Sequence, residues 1–405
     1  MPPEHTDPLA PLLDDARVRA ALEAARAAHL RTVADQREVA AIPAPTGDEG
    51  ARADWLEARL REAGAADVHR DEAGNVVATL GGHSAHTGSH TGAEPGAILA
   101  AAHLDTVFPA GTDVEVREQD GRLLAPGISD NGRGLAALLT LARVWREAGL
   151  TAARPVVLVG TVGEEGSGDL RGARHLLRAG GPWRGAAAFV AVDGGGQERI
   201  VHRGIGAGRL RLEVHGPGGH SWSDWGRPNA VHMLAGVVAR LAELELEAEP
   251  RTTLTVARIG GGTSINAIPA TAWAEVDLRG ETQAALDALA ARVQGVLERS
   301  AQGEAGPDVR VSVIGDRPAG ATPVEHPLVR LAEAATRHVG GQPELAASST
   351  DANVAMAAGI PALALGAGGD AGGTHTPAEW FDPTNGWLGV QRCLLVLLGA
   401  ATLAD

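Results

Sequence analysis

The strongest constraint on the fold is a series of short apolar segments in the first half of the chain. Four of them have the length of strands: VVATL, AILAAAH, PVVLVGTV and AAAFVAVD. Helical patterns separate the later segments, over 132–148 and 171–179. Buried apolar strands that alternate with helices are typical of an α/β sheet covered by helices on both faces. We therefore predict an α/β domain of this kind.

Two helices are predicted before the first of these strands. The stretches 16–40 and 47–63 are rich in Ala, Leu, Arg and Glu, and the segment IPAPTG breaks the pattern between them. We expect Thr46 or Asp48 to cap the second helix, because short polar side chains accept backbone N–H groups at a helix start.

The pattern changes near residue 208. RLRLEVHG, TTLTVARI and TAWAEVDLR alternate polar and apolar residues, helical patterns cover 228–244 and 281–300, and DVRVSVI closes the segment. This βαββαβ order predicts a small two-layer α+β domain. The first pattern returns after residue 320, with a helix over 326–338 and the strand IPALALG. We therefore expect one discontinuous domain, 1–207 with 317–405, interrupted by a second domain at 208–316.

Composition excludes several classes of function. The net charge of −15 argues against nucleic acid as a partner, because nucleic-acid recognition needs a basic surface. The chain has neither lysine nor tyrosine, which excludes a P-loop lysine and Schiff-base chemistry. The single cysteine, Cys393, rules out internal disulfides and cysteine-rich zinc sites. It lies in the apolar run CLLVLLGA, so we expect a core residue rather than a nucleophile.

Nothing in the sequence predicts a membrane or secretory protein. No apolar stretch reaches the length of a membrane span, and the segment MPPEHTDPLAPLLDD lacks the basic and apolar regions of a signal peptide. We therefore expect a cytoplasmic protein with no membrane partner.

The densest histidine cluster, His83, His86 and His90, is not where we expect a metal to bind. These residues are interleaved with Gly, Ser and Thr, and they lie between two predicted strands. No periodic pattern supports them, so the segment predicts an exposed connecting loop.

Histidine and acidic residues instead follow the apolar strands. AILAAAHLDTV carries His103 and Asp105, whose side chains project to the same side of an extended chain. A metal-binding imidazole with an orienting carboxylate uses this arrangement, and so does a buried histidine hydrogen-bonded to a carboxylate. Ligands of open α/β sheets bind at the carboxyl ends of strands, where this motif lies. The motif alone does not decide between a metal ligand and a buried histidine, so both interpretations stay open here.

Glu164 and Glu165 follow the strand PVVLVGTV. Adjacent side chains diverge, so one glutamate can bind a metal while the other handles a proton. The alternative is an exposed acidic turn, but the position directly after a core strand favours a site.

Three further positions offer ligands. Asp193 ends AAAFVAVD, and His375 lies in a glycine-rich loop after PALALG, where the backbone can approach a ligand closely. Asp130 precedes the helix that begins near Gly132, so it could also be only an N-cap. Two zinc ions that share a bridging carboxylate use this mixture of nitrogen and oxygen donors, with an activated water between them.

In this order, the motifs resemble those of the two-zinc exopeptidases and aminoacylases. That family includes peptidase T, glutamate carboxypeptidase, the cytosolic dipeptidases, and the acetylornithine and succinyl-diaminopimelate deacylases. The resemblance covers almost the whole chain. It implies a zinc-hydrolase domain with a mixed sheet flanked by helices and an inserted lid and dimerisation domain. It also implies two Zn²⁺ ions per subunit, with Co²⁺ or Mn²⁺ as possible substitutes.

The resemblance assigns a role to each strand-end residue. In HLDTV, His103 would bind one zinc and Asp105 would orient it. In SDNGRG and GEEGS, Asp130 would bridge the metals, Glu164 would act as general base and Glu165 would bind the second zinc. Asp193 and His375 match the remaining ligands.

Two details bear on the subclass. Peptidase T and the dipeptidases have Asp at the position of Asp193, where the deacylases and glutamate carboxypeptidase usually have Glu. STDANVAMAAGIPALALG and GGTHTPAEW also look like peptidase T. The chain departs from the family at Asn131, because Asp or Lys usually follows the bridging aspartate.

The resemblance also implies roles for the inserted domain. GPGGHSW matches the lid histidine, so His220 would stabilise the oxyanion, often in the active site of a partner subunit of a homodimer. SINAIPATAWAEVDLR matches the substrate-binding segment and supplies Asn266 and Arg279. An arginine suits a bidentate grip on a peptide carboxylate. A structural ion pair of Arg279 with Asp277 or Glu275 is the alternative.

The expected activity is zinc-dependent hydrolysis of an amide bond in short peptides, of the aminopeptidase, tripeptidase or dipeptidase type. An N-acyl amino-acid deacylase or a glutamate-type carboxypeptidase would use the same machinery on another amide. A zinc-bound, non-catalytic protein that uses its lid to bind a partner is the alternative from another class. The intact Glu164 argues against it, because such a protein needs no base.

Overall fold

The structure, a computed structural model, describes residues 7–80, 96–301 and 308–403. The chain divides into two compact units, Met1–Arg203 with Ala321–Asp405, and Gly204–Gly320. The range 208–316 expected for the inserted domain lies inside the second unit. His83, His86 and His90 lie outside the described residues. Within the described ranges, no helix has the length and apolar character needed to cross a membrane.

The elements are numbered in chain order. The helices are α1 Ala10–Asp14, α2 Ala16–Ala27, α3 His29–Ala40, α4 Gly50–Ala63, α5 Gly132–Glu147, α6 Arg171–Leu177, α7 Ala230–Ala242, α8 Gln283–Ala301, α9 Pro327–His338, α10 Ala352–Ala357 and α11 Trp387–Ala400. The strands are β1 Ala66–Arg70, β2 Val76–Leu80, β3 Ile98–His103, β4 Arg117–Gln119, β5 Arg122–Leu124, β6 Val156–Thr161, β7 Ala188–Val192, β8 Arg199–Gly204, β9 Gly206–His215, β10 Gly219–His220, β11 Thr252–Gly261, β12 Ala267–Ile268, β13 Thr271–Gly280, β14 Asp308–Arg317, β15 Gly320–Ala321, β16 Glu344–Ser348, β17 Ala362–Leu365, β18 Asp370–Gly372 and β19 Trp380–Asp382.

A mixed sheet forms the centre of the first unit. From β1 to β8 its strand order is β1-β2-β6-β3-β7-β17-β8. β6, β3, β7 and β17 are parallel, whereas β1, β2 and β8 pair antiparallel with their neighbours. The predicted mixed sheet flanked by helices is confirmed.

Apolar side chains pack against both faces of this sheet. On β3, Ile98, Ala100 and Ala102 belong to one buried cluster, while Leu99 and Ala101 belong to another. Burial on both faces is the reason why these strands show no polar alternation in the sequence. Cys393 lies in the first cluster with no exposed surface, so its predicted place in the core is confirmed.

The second unit contains an antiparallel sheet of order β11-β13-β9-β14. α7 and α8 contribute Leu234, Val237, Leu289 and Val293 to the apolar cluster that includes Val276 of β13. The predicted βαββαβ order is confirmed. The structure adds a short ribbon, β10 with β12, which carries His220.

Two helix predictions need correction. The stretch 16–40 forms two helices, because α2 ends at Ala27 and α3 begins at His29. No proline or glycine marks this break, so the sequence offers no signal for it. α4 begins at Gly50, and its N-cap, Glu49, makes no side-chain capping bond. Neither Thr46 nor Asp48 caps the helix.

A second, small sheet in the described part of the first unit was not predicted. It has the order β18-β19-β5-β4, and each of its strands is three residues long. The hairpin β18–β19 brackets the loop that carries His375, and β5 pairs with β19. Because β5 leads into residues 125–130, this sheet brings the Asp130 segment beside the His375 loop.

Candidate metal centre

The predicted ligands of the first unit converge at one edge of the mixed sheet. His103 is the last residue of β3, Asp193 follows β7, and Glu164 and Glu165 come shortly after β6. These strands are parallel neighbours, so their carboxyl ends meet at one edge. Donor atoms lie within 4.8 Å of one another in three groups: His103, Glu164 and Glu165; His103, Asp130 and Asp193; and Asp130, Glu165 and His375.

Asp130 lies between the two imidazoles. Its Oδ1 is 2.9 Å from Nε2 of His103, and its Oδ2 is 3.1 Å from Nε2 of His375. Burial opposes the charge of Asp130, but hydrogen bonds from both histidines outweigh burial and lower the pKa of this carboxyl. One carboxylate therefore offers an oxygen to each side of the centre, as a bridging ligand does.

Asn131, the residue that departs from the family pattern, is the N-cap of α5. Its Oδ1 accepts the N–H groups of Gly134 and Gly194, at 3.0 and 3.1 Å, and its Nδ2 donates to the carbonyl of Val192 at 3.0 Å. A Cβ on Gly134 would lie 2.2 Å from Asn131 Oδ1, so this close approach requires glycine. Asn131 thus ties the start of α5 to the end of β7, and Asp130 is free of the capping role.

The carboxylate of Glu379 holds the Asp130 segment through hydrogen bonds to its backbone. It has no exposed surface, and it accepts the backbone N–H groups of Gly127, Ser129 and Asp130 at 2.8, 2.8 and 2.9 Å. Burial raises its pKa to about 7. Glu379 lies in the same β18–β19 loop as His375, so it links the loops that carry two of the predicted ligands.

His103 and Asp105 interact differently from the simplest expectation. Nδ1 of His103 lies 3.0 Å from the main-chain carbonyl oxygen of Asp105, and 3.6 Å from its carboxylate. With Nδ1 held by this carbonyl, Nε2 is the ring nitrogen on the Asp130 side and the one that would bind a metal ion. The Asp105 carboxylate instead accepts the N–H groups of Glu164 and Glu165, at 3.0 and 2.9 Å. Asp105 thus orients both the histidine and the two glutamates.

Thr46 and Arg52 complete the surroundings of Asp105. Thr46 Oγ1 donates to Asp105 Oδ2 at 2.9 Å. Arg52 is fully buried and donates to the carbonyls of Ile42 and Leu104 at 2.8 and 3.1 Å. Burial lowers the pKa of Arg52 to about 10, while Asp105 and Glu379 act to raise it. Arg52 therefore stays cationic near neutral pH and offsets part of the acidic charge behind the centre.

Another buried carboxyl, that of Asp351, lies behind β6. Its Oδ2 accepts a hydrogen bond from Thr161 at 2.5 Å, and burial raises its pKa to about 6. Thr161 is the last residue of β6 and pairs with His103 across the sheet. The contact supports the strand end that leads into Glu164.

The charge of the centre suits the binding of metal cations. Four carboxylates, Asp130, Glu164, Glu165 and Asp193, face only two imidazoles. Glu165 Oε1 lies 2.9 Å from Nε2 of His375, and the hydrogen bonds that His375 donates to Asp130 and Glu165 raise its pKa to about 10. The surrounding carboxylates also raise the pKa of His103 against the effect of its burial. A centre with this excess of acidic groups attracts cations, and its imidazole and carboxylate groups could hold a metal ion.

In the second unit, His220 is the last residue of β10, and Asn266 lies in the turn just before β12, the strand that pairs with β10. His220 pairs with Ala267, and the N–H of Ser221 donates to the carbonyl of Asn266 at 3.0 Å. Nδ1 of His220 accepts the N–H groups of Trp222 and Ser223 at 3.2 and 3.4 Å. The neutral ring therefore carries its proton on Nε2, which is then a hydrogen-bond donor.

Arg279 forms the ion pair considered from the sequence. Its Nε donates to Asp277 Oδ2 at 2.8 Å, and its side chain is 39% exposed. Glu275 pairs instead with Arg211 and Arg258.

Comparison with known proteins decides the family. The profile of peptidase family M20/M25/M40 matches residues 99–398. This chain belongs to that family. Its membership identifies the protein as an enzyme and a hydrolase.

The relatives of this M20/M25/M40 member are named for different reactions. The putative succinyl-diaminopimelate desuccinylase DapE of Mycobacterium tuberculosis is 31% identical over 337 residues, which is 81% of this chain and 87% of the relative. The aminopeptidase PepT of Bacillus cereus superposes with a TM-score of 0.71 at 22% identity, over 93% of this chain and 99% of the other. A tripeptidase of Staphylococcus aureus gives a TM-score of 0.72 at 22% identity, with the same coverage. At this identity, the two structures establish the fold.

Sequence reasoning missed the supporting roles of five residues of this M20/M25/M40 centre: Thr46, Arg52, Thr161, Asp351 and Glu379. For Glu379 the available signal was an acidic residue four positions after the predicted ligand His375. For Asp351 it was an acidic residue between predicted core segments. Thr46 and Thr161 carry no such signal, because threonine is common in turns and strands.

Proposed function

We propose that this M20-family enzyme hydrolyses an amide bond in short peptides, as an aminopeptidase, tripeptidase or dipeptidase, with two zinc ions per subunit. The observation that carries the proposal is Asp130, whose two oxygens face His103 and His375 at 2.9 and 3.1 Å. Metal-dependent amide hydrolysis agrees with the family, and Asp193 together with the peptidase-T-like tail favours peptides.

The donor groups suggest how the ligands divide. His103, Asp130 and Asp193 would hold one ion, and Asp130, Glu165 and His375 would hold the other. Bound zinc would lower the pKa of a coordinated water and polarise the scissile carbonyl. Co²⁺ and Mn²⁺ are possible substitutes, since they accept the same donors.

Glu164 is the proposed general base. It is 5% exposed, and its backbone N–H is held by Asp105, so its position beside the ligands is defined. Its carboxylate would take a proton from the attacking water and deliver it to the leaving amine nitrogen as the C–N bond breaks. The products are a carboxylate and a free amine.

His220, Asn266 and Arg279 are the proposed substrate contacts of the second unit. The Nε2–H of His220 would donate to the carbonyl oxygen as negative charge develops on it. Asn266 would bind the substrate backbone. Arg279 would bind a substrate carboxylate while keeping its contact with Asp277. We further propose that the second unit is a lid and the dimer contact of a homodimer.

The variant Glu164→Gln tests the mechanism. It keeps the shape of the side chain and removes the base, so we expect full zinc content and a loss of turnover of about a hundredfold to ten-thousandfold. Glu165→Gln is the matched control, because it removes a proposed ligand and should lower the zinc content. Full activity of Glu164→Gln would exclude Glu164 as the base.

A second candidate is deacylation of an N-acyl amino acid. The 31% identical relative supports it, because that protein is named for removing a succinyl group. Comparing kcat/KM on di- and tripeptides with kcat/KM on N-acetyl and N-succinyl amino acids separates the two. A glutamate-type carboxypeptidase would appear as a preference for substrates that end in glutamate.

A further inference from the structure

Three apolar side chains around His220 are the most exposed large apolar residues of the described part of the chain. Trp222, Trp225 and Ile265 are 87%, 84% and 104% exposed. Exposed tryptophan is uncommon, and a group of exposed apolar side chains typically marks a binding surface.

Backbone contacts hold these residues in one place. The N–H of Ser221, next to Trp222, donates to the carbonyl of Asn266, next to Ile265, at 3.0 Å. The N–H of Trp225 donates to the carbonyl of Trp222 at 3.4 Å. The three side chains therefore emerge from one ribbon and its turn.

The charges around this surface are compensated. Asp224 Oδ1 pairs with Arg227 at 3.0 Å, while Asp224 Oδ2 accepts the backbone N–H of His220 at 2.8 Å. The segment 260–271 contains no charged residue. An apolar surface with balanced charge favours an uncharged apolar ligand over an anionic one.

We propose that Trp222, Trp225 and Ile265 form a recognition surface for the substituent next to the scissile amide, so that the enzyme prefers substrates with a bulky, uncharged apolar group there. The inference rests on the proposed function, in which His220 donates to the substrate carbonyl. Nδ1 of His220 is hydrogen-bonded to the backbone of Trp222 itself. A carbonyl bound at Nε2 would therefore lie one imidazole ring away from the segment that carries the two tryptophans.

Kinetics with matched substrates test this specificity. The set is Ala-Ala, Phe-Ala, Ala-Phe, Glu-Ala and Ala-Glu, with N-acetyl-Ala, N-acetyl-Phe and N-acetyl-Glu. Each comparison places Phe, Ala or Glu at the same position of otherwise identical substrates. For the zinc-loaded wild type, we expect kcat/KM for the Phe substrate to exceed kcat/KM for the Ala and Glu substrates by about tenfold or more at one of these positions. Trp222→Ala should reduce this Phe/Ala ratio to near one, chiefly by raising KM for the Phe substrate.

Two controls separate recognition from general damage. Ile259→Ala removes another exposed apolar side chain of the same unit, 58% exposed on β11, and should leave the Phe/Ala ratio unchanged. The thermal unfolding midpoint of Trp222→Ala should match that of the wild type, because the side chain it removes is almost entirely in solvent.

A second copy of the chain is the other possible occupant of this surface. If Trp222→Ala converts a dimer to a monomer in sedimentation and lowers kcat/KM equally for Phe and Ala substrates, the surface is a subunit contact and the inference is wrong. The inference is also wrong if the wild type hydrolyses these substrates but its Phe/Ala ratio is near one or is unchanged in Trp222→Ala. That result would leave the proposed function intact. No hydrolysis of any member would remove the proposed function and this inference together.

Discussion

The carboxylate of Glu379 accepts the backbone N–H of Asp130 at 2.9 Å, although the two residues are far apart in the sequence. The same carboxylate accepts two more N–H groups from the Asp130 segment, and it lies in the loop that carries His375. The position of the proposed bridging ligand therefore depends on a residue that does not itself face the centre.

We predict that Glu379→Gln weakens metal binding while the fold persists. The amide keeps the size of the side chain, but its NH₂ group must face one of the three backbone N–H donors, which loosens the Asp130 segment. We expect faster zinc loss to a chelator, by about tenfold, as is typical when an outer partner of a metal ligand is changed. An unchanged rate of zinc release would show that Glu379 does not position Asp130.

Thr46→Val should lower kcat with little change in zinc content. The substitution preserves shape and removes the hydrogen bond to Asp105 Oδ2, so Asp105 holds Glu164 and Glu165 less firmly. A net loss of about 1 kcal/mol corresponds to a reduction of about fivefold. Thr112→Val is the control, because among the described residues its exposed hydroxyl donates only to the main-chain carbonyl of Pro109. Equal effects of the two variants would contradict the role of Thr46.

Cys393 should be inert in the native enzyme. It has no exposed surface, and burial raises the pKa of its thiol, so neither access nor thiolate supports reaction. We expect no labelling by iodoacetamide at pH 8 in the folded state and one label per chain in guanidinium chloride. Rapid labelling of the native protein with loss of activity would instead indicate a reactive thiol.

His29 should make the protein less stable as the pH falls below about 6.5. Burial against Trp387, followed by the charge of Arg133, lowers its pKa below the usual value of 6.5. Between the folded and unfolded pKa values the unfolded chain binds more protons, so the contribution of His29 is fully present above the unfolded pKa and is lost as the pH falls through the folded pKa.

The variant His29→Gln isolates this contribution, because glutamine does not titrate. As the pH is lowered from 8 to 5, the unfolding midpoint of the wild type should fall relative to that of the variant. A difference that stays constant over this range would mean that the pKa of His29 is not lowered by folding.

Residues of the metal centre were predictable where they end buried parallel strands. His103, Glu164, Glu165 and Asp193 each follow an apolar segment whose pattern is visible in the sequence. The structure places all of them at one sheet edge. The role of Asp130 was open, because an aspartate before a helix is usually its N-cap. Only the structure shows that Asn131 takes the cap.

The sequence by itself determined the alternation of strands and helices, the inserted antiparallel unit and the strand-end positions of the ligands, because burial leaves a local pattern of apolar residues. Tertiary structure alone decided the support of the centre by Glu379, Thr46 and Arg52. These contacts join segments distant in the chain through a sheet of three-residue strands and through single polar side chains. Such contacts have no periodicity in the sequence, so no local pattern of residues predicts them.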